Sequence, residues 1–397
     1  MDKKDYIGII NKRVEQLYPE FVKIRRYLHE NPELSTKEFN TKKYLLQLLD
    51  KYDVEIDSNI KGTGICATLK GKLPGKTIAF RGDMDALNIK EETGLPYKSA
   101  KDGIMHACGH DSHMTFLMGS LMVLSEFKDQ LKGNIKFIFQ PAEESVGGAR
   151  EMIEDGALNN PKVDLIIGSH IWPEIDTGTI GLKKGPIMSS PDIFEIEVIG
   201  KGGHAGKPDK VVDPIMLAGE IITSIENKIL RPSNPFEPIV ITSCSINGGN
   251  SYNVVPDTCT IKGTVRTFSE KSRDYVESKM KKLINSVVNM SGGQSEFKYI
   301  RRFPPTINDS DAINFVKKSA SEIIENSNVL NIKDPSMSSE DFSYFLNEIP
   351  GAYIFIGTRN EKKNLVYDLH NPKFTIDEEA LKIGVKVFVK SALDYLQ

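Results

Sequence analysis

Met-His-Ala-Cys-Gly-His-Asp-Ser-His-Met, the stretch from Met105 to Met114, is the part of the sequence on which the interpretation of the fold depends. It contains three of the seven histidines and one of the four cysteines of the chain. So many thiol and imidazole groups are rarely needed for packing, whereas both are common ligands of zinc and related metals. The stretch therefore predicts a metal site, with Cys108 and His110 as its first candidate ligands.

Three other interpretations stay open from the stretch alone. Cys108 and His110 could form a nucleophile and base, although residues two apart seldom face each other at hydrogen-bond distance. The histidines could be helix caps or core residues. A structural zinc site usually has paired C-x-x-C or H-x-x-x-H spacings, and the other cysteines form no such pair with Cys108.

Length and composition limit the class of protein. The 397 residues, 39% hydrophobic and 26% charged, are typical of a folded chain that is long enough for two domains. A net charge of −3 with dispersed Lys and Arg provides no nucleic-acid footprint. Because we find neither a signal-peptide-like apolar segment nor a membrane-length apolar run, we expect a cytoplasmic protein without membrane contact. Four widely spaced cysteines argue against a disulfide framework.

Candidate ligands and acid/base groups follow three apolar segments that we interpret as strands. Open α/β sheets place their chemistry at the carboxyl ends of their strands, so these side chains are expected to converge. Either aspartate of the first segment could instead be a loop cap, and the two glutamates of the second could be a solvated turn. The segments and the residues that follow them are Thr77 to Phe80 with Asp83 and Asp85, Asn134 to Phe139 with Glu143 and Glu144, and Val163 to Ser169 with His170.

Two further histidines have plain alternatives. His29 lies at the end of a helix predicted for Asp5 to Glu30, where a C-terminal cap is the favoured role. His370 precedes Asn371-Pro372 and could be a turn residue, but it is also the last ligand that a two-metal site needs.

The pattern changes near Gly185-Pro186, where a β-α-β-β-α-β order typical of a ferredoxin-like unit begins. The α/β pattern resumes after Pro304-Pro305. We therefore predict an α/β protein: a mixed-sheet catalytic domain formed by residues 1–186 and 303–397, with a ferredoxin-like domain inserted at residues 187–302.

Cys108, His110, Glu144, His170 and His370 would together supply one sulfur, three nitrogens and a carboxylate. That set suits zinc, manganese, cobalt or nickel better than calcium or magnesium. Five ligands are too many for one catalytic ion with an open position, and they fit two ions that share a bridge. Glu143 is then the candidate general base and acid, and Asp85 the carboxylate that orients His110.

With these residues in hand, the chain resembles the metal-dependent aminoacylase and carboxypeptidase family over nearly its whole length. The resemblance is strongest to the amidohydrolase branch of hippurate hydrolases, N-acetyl-amino-acid deacetylases and auxin-conjugate hydrolases. The motifs that carry it are Arg-Gly-Asp-Met-Asp-Ala-Leu at 81–87, His-Ala-Cys-Gly-His-Asp at 106–111, Gln-Pro-Ala-Glu-Glu at 140–144, Gly-Ser-His at 168–170, Gly-Gly-His-Ala at 202–205, Asn-Val-Val-Pro at 253–256, Ser-Glu-Asp-Phe at 339–342 and Leu-His-Asn-Pro at 369–372.

The resemblance implies a di-metal exopeptidase-like catalytic domain with the inserted domain as lid and dimerisation domain. It also implies two divalent ions per subunit, Mn²⁺ or Zn²⁺ first and Co²⁺ or Ni²⁺ as alternatives, held by the five candidate ligands. Glu143 would be the base and Asp85 would support the centre. A cysteine here replaces the wider family's bridging aspartate, and a histidine replaces a second-metal carboxylate.

Three residues of the inserted domain complete the predicted site. By the resemblance, His204 reaches the active site of the partner subunit and donates to the oxyanion; its alternative is a surface histidine. Asn253 and Arg266 are candidate substrate contacts, Arg266 by clamping an α-carboxylate, although a strand-end salt bridge is an equal alternative for this arginine.

The sequence thus predicts a homodimeric, metal-dependent amidohydrolase that cleaves N-acyl amino acids to a carboxylate and a free amino acid. A metallo-carboxypeptidase or dipeptidase acting on short peptides is the alternative within the same chemistry. A non-catalytic binding protein is less consistent with the presence of Glu143 and every proposed ligand. A protease with Cys108 as nucleophile would be insensitive to chelators.

Overall fold

The computed structural model describes residues 3–396, and the side chains of residues 6–396. The helices in this range are α1 (Lys3–Glu30), α2 (Phe39–Leu49), α3 (His110–Leu124), α4 (Gly148–Glu154), α5 (Pro214–Ile225), α6 (Glu270–Met290), α7 (Ser310–Ile323), α8 (Ser343–Glu348) and α9 (Ala380–Tyr395).

The strands are β1 (Glu55–Ile56), β2 (Ile65–Lys70), β3 (Leu73–Asp83), β4 (Lys132–Gln140), β5 (Leu165–Asp176), β6 (Ile180–Leu182), β7 (Gly185–Met188), β8 (Ser190–Ile199), β9 (Gly203–His204), β10 (Val240–Asn247), β11 (Val254–Val255), β12 (Thr258–Thr267), β13 (Gln294–Ile300), β14 (Thr306–Asn308), β15 (Val329–Asn331) and β16 (Gly351–Arg359).

The chain forms two compact units. The first comprises the described residues up to Gly185, together with Asn308–Asp334 and the chain from Tyr344 onward. The second comprises Pro186–Ile307 and Pro335–Ser343. These junctions differ by a few residues from the boundaries expected at 186/187 and 302/303, and the short segment Pro335–Ser343 belongs to the second unit. The predicted domain boundaries remain a prediction.

An eight-stranded mixed sheet forms the first unit, in the order β1-β2-β4-β3-β5-β16-β6-β15. Its four central strands β4, β3, β5 and β16 are mutually parallel. These strands are almost continuously buried, as expected for a parallel sheet covered on both faces. The mixed α/β fold class predicted from the sequence is confirmed.

The helix α3 is buried nearly all round, with a polar first turn and a mostly apolar remainder. Every residue from His110 to Leu124 except Met122 is buried. Gly82 of β3 and Gly384 of α9 allow close approach, since an added Cβ would come within 2.9 Å of the His113 carbonyl oxygen and 2.5 Å of the Phe116 ring, respectively. The chain therefore buries the helix that begins at His110 tightly against the sheet.

The strand β5 is longer than the sequence indicated. Val163 to Ser169 was expected to be a strand that ended before His170, but β5 runs to Asp176 because its parallel pairing with β16 continues as far as Arg359. Its pairing with β3 on the other side ends at Gly168. His170 therefore lies in a part of β5 that pairs with β16 but no longer with β3.

The second unit has the element order β8-α5-β10-β12-α6-β13. Its four-stranded antiparallel sheet has the spatial order β10-β12-β8-β13. The helices α5 and α6 pack together and bury an apolar core with the sheet. This is the arrangement of a ferredoxin-like unit. The lid and dimerisation roles of the unit are proposals, discussed below.

Two further observations concern the cysteines and the helices. All four cysteines are free thiols. Among residues 3–396, no helix combines the length and apolarity that a membrane crossing requires.

Candidate metal centre

Cys108 and His110 are positioned by the glycine between them. Gly109 has φ +78°, in the left-handed region that favours glycine, and immediately precedes α3. An added Cβ at Gly109 would lie 2.5 Å from the Ile171 side chain. The glycine thus lets the chain turn sharply against β5, so that the thiol and the first-turn imidazole face the strand that carries His170.

The loop after β4 carries Glu143 and Glu144 in a constrained conformation. Ala142 has φ +59°, an uncommon value for a non-glycine residue that costs about 1–3 kcal/mol and often marks functional sites. Its amide donates to the buried Glu38 carboxylate at 2.9 Å. The amides of Glu143 and Glu144 donate to the two carboxylate oxygens of Asp85, at 3.1 and 3.0 Å.

Asp85 therefore holds the peptide groups of the Glu143-Glu144 pair and also approaches His110. Its Oδ1 lies 3.4 Å from His110 Nδ1, and its Oδ2 accepts from the Ser35 hydroxyl at 2.6 Å. Burial raises the pKa of the Asp85 carboxyl, but His110 and Ser35 outweigh burial and lower it. An ionised carboxylate behind the imidazole is the arrangement expected for the orienting role predicted for Asp85.

His170 and His370 complete the group of predicted ligands. His170 Nδ1 donates to the Ile171 carbonyl at 2.7 Å, which leaves Nε2 directed to Cys108. His370 is held by its amide, which donates to the Ala107 carbonyl at 2.9 Å, and has φ +64°. Its side chain is 52% exposed, whereas the other candidate ligands are largely buried. The group is therefore open to solvent at His370.

The structure brings all five predicted ligands together. Cys108 Sγ lies 3.4 Å from His170 Nε2 and 3.3 Å from His370 Nε2. Glu144 Oε1 lies 3.3 Å from His370 Nε2 and 3.8 Å from His110 Nε2. Two overlapping triads each have their ligand atoms within 4.8 Å of one another, and Cys108 belongs to both: Cys108, His110 and His170, and Cys108, Glu144 and His370.

The donor set fits a metal centre. Two ligands bonded at about 2.0–2.3 Å to one tetrahedral ion lie about 3.3–3.8 Å apart, close to the separations observed here. Both ring nitrogens of His110 and Oε1 of Glu144 are buried without a hydrogen-bond partner among the described residues. Such groups cost about 1–3 kcal/mol each unless a ligand satisfies them. Metal ligation of these residues was predicted from the sequence and remains a prediction.

Burial and neighbouring charges shift the pKa values of three candidate ligands. Burial, with the Glu144 carboxylate, raises the pKa of the Cys108 thiol well above its ordinary value. Burial lowers the pKa of His110, but Asp83 and Asp85 outweigh it and raise it to about 10. Burial, with His113, keeps the pKa of His170 well below its usual range.

Comparison with known proteins agrees with this geometry. The sequence profile of peptidase family M20/M25/M40 matches residues 79–394, which include every predicted ligand. The chain belongs to this family. Its members are metal-dependent hydrolases, and the resemblance inferred from the motifs is confirmed.

Individual members of the M20/M25/M40 family align with nearly the whole of this chain. It is 39% identical to thermostable carboxypeptidase 1 of Saccharolobus solfataricus, covering 96% of each chain. It is 39% identical to N-acetylcysteine deacetylase of Bacillus subtilis, covering 95% of this chain and 97% of the relative. A solved Bacillus subtilis structure, described as a dinuclear metal-binding peptidase from the M20 family, matches with 37% identity, a TM-score of 0.84 and coverage of 96% and 99%.

The other predicted site residues of this M20/M25/M40 chain lie in the second unit. His204 is exposed and belongs to β9, which pairs with β11. The Gly206 amide donates to its Nδ1 at 2.9 Å, which leaves Nε2 to donate outward. The exposed Asn253 is adjacent, since its carbonyl accepts from the Ala205 amide at 3.1 Å. Arg266 is on β12 and donates to the Val265 carbonyl at 3.3 Å.

The sequence interpretation missed two features of the first unit. His113 received no role, although it follows His110 by three residues and so shares its helix face. Its Nδ1 lies 2.6 Å from Asp83 Oδ1. His29 was expected to cap α1, and this was wrong: its ring is fully buried, with Nδ1 2.8 Å from Asp111 and Nε2 3.2 Å from Glu91. Contacts between residues so far apart in sequence leave no pattern in the local sequence from which they could be predicted.

Proposed function

We propose that this M20/M25/M40 hydrolase cleaves the amide bond of N-acyl amino acids, with N-acetyl and N-benzoyl groups as the first candidates, to a carboxylate and a free amino acid. The observation that carries the proposal is the convergence of one thiol, three imidazoles and Glu144 beside the buried Glu143. The relative named N-acetylcysteine deacetylase supports this substrate class.

The proposed metal ligands are Cys108, His110, Glu144, His170 and His370. Since Cys108 belongs to both triads, its thiolate would be available to both ions. Mn²⁺ and Zn²⁺ are the first candidates, with Co²⁺ and Ni²⁺ as alternatives, because the set combines soft sulfur with nitrogen and oxygen. When bound, two such ions polarise an amide carbonyl and lower the pKa of water to about 7.

Glu143 is the proposed general base and acid. Its carboxylate would accept a proton from the water that attacks the amide carbon, and would then deliver this proton to the leaving nitrogen as the C–N bond breaks. The buried Asp85 would keep Glu143 in place through the 3.1 Å hydrogen bond from the Glu143 amide. Asp85 acts in this scheme by positioning and does not exchange the proton.

The second unit is proposed to complete the site as lid and dimerisation domain of a cytoplasmic homodimer. His204 of one subunit would donate from Nε2 to the developing oxyanion in its partner. Asn253 beside it would contact the substrate, and Arg266 would clamp the α-carboxylate. Support comes from the outward-directed Nε2 of His204, fixed by the Gly206 amide, and from the chemistry of a guanidinium and a carboxylate.

One experiment tests the reaction and its rivals together. The purified protein is stripped with a chelator, reloaded separately with Mn²⁺, Zn²⁺, Co²⁺ or Ni²⁺, and assayed with N-acetyl- and N-benzoyl-amino acids and with dipeptides. We expect activity to vanish on stripping, to return with metal, and to favour the N-acyl amino acids. Preference for dipeptides would instead support the peptidase alternative, which the thermostable carboxypeptidase relative also favours. Chelator-resistant activity that alkylation abolishes would make Cys108 a nucleophile.

A further inference from the structure

The peptide groups of Ile171 lie between two histidines. The Ile171 amide donates to His113 Nε2 at 2.9 Å, and the Ile171 carbonyl accepts from His170 Nδ1 at 2.7 Å. Since His113 Nε2 accepts a hydrogen bond, the ring proton of His113 is on Nδ1, where it is donated to Asp83 Oδ1 at 2.6 Å. A continuous series of hydrogen bonds therefore joins Asp83 to the proposed ligand His170.

At Ile171, the sheet provides no partner from β3 for the backbone of β5. The strands β3 and β5 pair only as far as Arg81 and Gly168, so Ile171 lies three residues beyond the end of that ladder. Buried backbone groups that lose a ladder partner need another one. At Ile171 the two histidine rings take the place of the missing strand.

Several residues fix the position of the His113 ring. Gly82 allows the backbone of α3 to approach β3, because an added Cβ would lie 2.9 Å from the His113 carbonyl oxygen. Asp83 accepts from Arg81 at 2.6 Å through its other carboxylate oxygen. All of these groups are buried. The ion pair of Asp83 and Arg81 thus fixes the Nδ1 side of the His113 ring, and the Nε2 side contacts Ile171.

We propose that His113 is a positioning residue: by accepting from the Ile171 amide, it fixes the backbone of Ile171, whose carbonyl group accepts from His170, and so directs His170 Nε2 at the metal. His113 itself does not ligate the metal. The inference rests on the metal site proposed above. Partners that orient a metal-bound histidine typically change metal affinity 10- to 100-fold when lost.

Two matched substitutions separate the two hydrogen bonds of the ring. A glutamine amide can reach the position of Nε2 and can still accept from Ile171, whereas the shorter asparagine amide mimics Nδ1 and retains only the bond to Asp83. Affinity for Co²⁺ is measured by competition with a chromophoric chelator. We expect His113→Gln to stay within about threefold of wild type and His113→Asn to bind 10- to 100-fold more weakly. Equal loss in both variants, or no loss in His113→Asn, would overturn the proposal.

Controls separate positioning from general damage and from failure of the metal site. Lys390→Met removes a buried lysine that pairs with Glu322 and Asp394 at 2.6 Å, so it should reduce stability in chelator without changing Co²⁺ affinity. His170→Ala tests the site: if it binds Co²⁺ like wild type, the proposed ligand set is wrong. If His170→Ala loses Co²⁺ but His113→Asn does not, only the positioning role of His113 is wrong.

A measurement on the unaltered chain covers the case in which the variants do not fold. In metal-free protein labelled with [¹⁵N]histidine, long-range ¹H–¹⁵N spectra report which ring nitrogen carries the proton. The proposal requires the Nδ1–H tautomer at both His113 and His170. An Nε2–H tautomer at His113 would contradict it.

Discussion

Two buried polar clusters of the first unit adjoin each other, since His110 of one and Asp111 of the other are consecutive, yet they differ in how their polar atoms are satisfied. Asp111 Oδ2 accepts from Arg25 Nε at 2.9 Å and lies 2.8 Å from His29 Nδ1. His29 also contacts Glu91. In the proposed metal cluster, the ring nitrogens of His110 and Oε1 of Glu144 lie 3.3–3.8 Å from oppositely charged neighbours, and these three atoms have no hydrogen-bond partner among the described residues.

This difference in hydrogen bonding distinguishes a buried cluster that stabilises the fold from a candidate ligand site. In the Arg25, His29 and Asp111 cluster, donors and acceptors are matched at ordinary hydrogen-bond distances, so nothing further is required. In the proposed metal cluster, the candidate ligand atoms lie at separations that a shared ion would suit, and the ring nitrogens of His110 and Oε1 of Glu144 have no hydrogen-bond partner among the described residues. We therefore expect losses in the first cluster to reduce stability, and losses in the second to reduce metal binding and catalysis.

The largest effect is expected at Glu143, the buried acid beside the metal cluster. Glu143→Gln keeps the shape of the side chain but removes its ability to accept a proton, so kcat should fall by about 10³-fold while metal content is unchanged. Steady-state kinetics and metal analysis measure both. Glu151→Gln on the exposed surface of α4 is the control. A kcat within tenfold of wild type would remove Glu143 from the proton transfer.

Glu144→Gln tests whether an unsatisfied buried carboxylate is retained for metal binding. It removes a charge that no hydrogen bond satisfies at Oε1, so the unfolding free energy in chelator should change by less than about 1 kcal/mol. Metal affinity should fall by at least about 100-fold, since a ligand is lost. Urea unfolding and chelator competition provide the two values. Loss of stability without loss of affinity would reverse the assignment of the two clusters.

Arg25→Met tests the satisfied cluster, with its neighbour as a matched control. Arg25 is 1% exposed and pairs with the fully buried Asp111, so its loss removes the guanidinium that offsets the charge of this carboxylate and should cost about 3–5 kcal/mol. Arg26 pairs with Glu378 at 2.6 Å but is 44% exposed, and Arg26→Met should cost at most about 1 kcal/mol. Equal costs in urea unfolding would contradict the assignment of Arg25 to a buried structural pair.

The smallest expected effect is a pH dependence from His29. Burial and Arg25 lower its pKa, but Asp111 and Glu91 outweigh them and raise it above the usual 6.5. A raised pKa gives stability that is complete below pH 6.5 and lost as pH rises through the folded-state pKa. In chelator, wild type should therefore lose stability relative to His29→Gln above pH 6.5, by up to about 1.4 kcal/mol per pH unit. Parallel stability curves would exclude this contribution.

Part of the proposed metal cluster could be predicted from the sequence because two of its residues follow apolar segments and two others share one motif, Met105 to Met114. Apolar segments predict strands, parallel strands align their carboxyl ends, and Glu144 and His170 each follow such a segment. The alternation and helical periodicity of the second unit likewise predicted its element order, in which α6 (Glu270–Met290) is the second helix. Local patterns were sufficient in these cases.

The contacts of single side chains could not be predicted in the same way. His29 was assigned to a helix end because its own segment is helical, but Glu91 and Asp111, which surround it, are 62 and 82 residues away. The extension of β5 beyond His170 depends on β16, which is more distant still in sequence, since His170 pairs with Phe355. The role inferred for His113 needs the end of the β3–β5 ladder, which only the register reveals.

The most direct test of the central claim is anomalous diffraction from crystals of the protein loaded with Mn²⁺ or Zn²⁺. The account predicts two anomalous peaks per chain, both at bonding distance from Cys108 Sγ. One should also be bonded by His110 and His170, and the other by Glu144 and His370. A single peak without a bond to Cys108, or no peak among these five side chains, would contradict it.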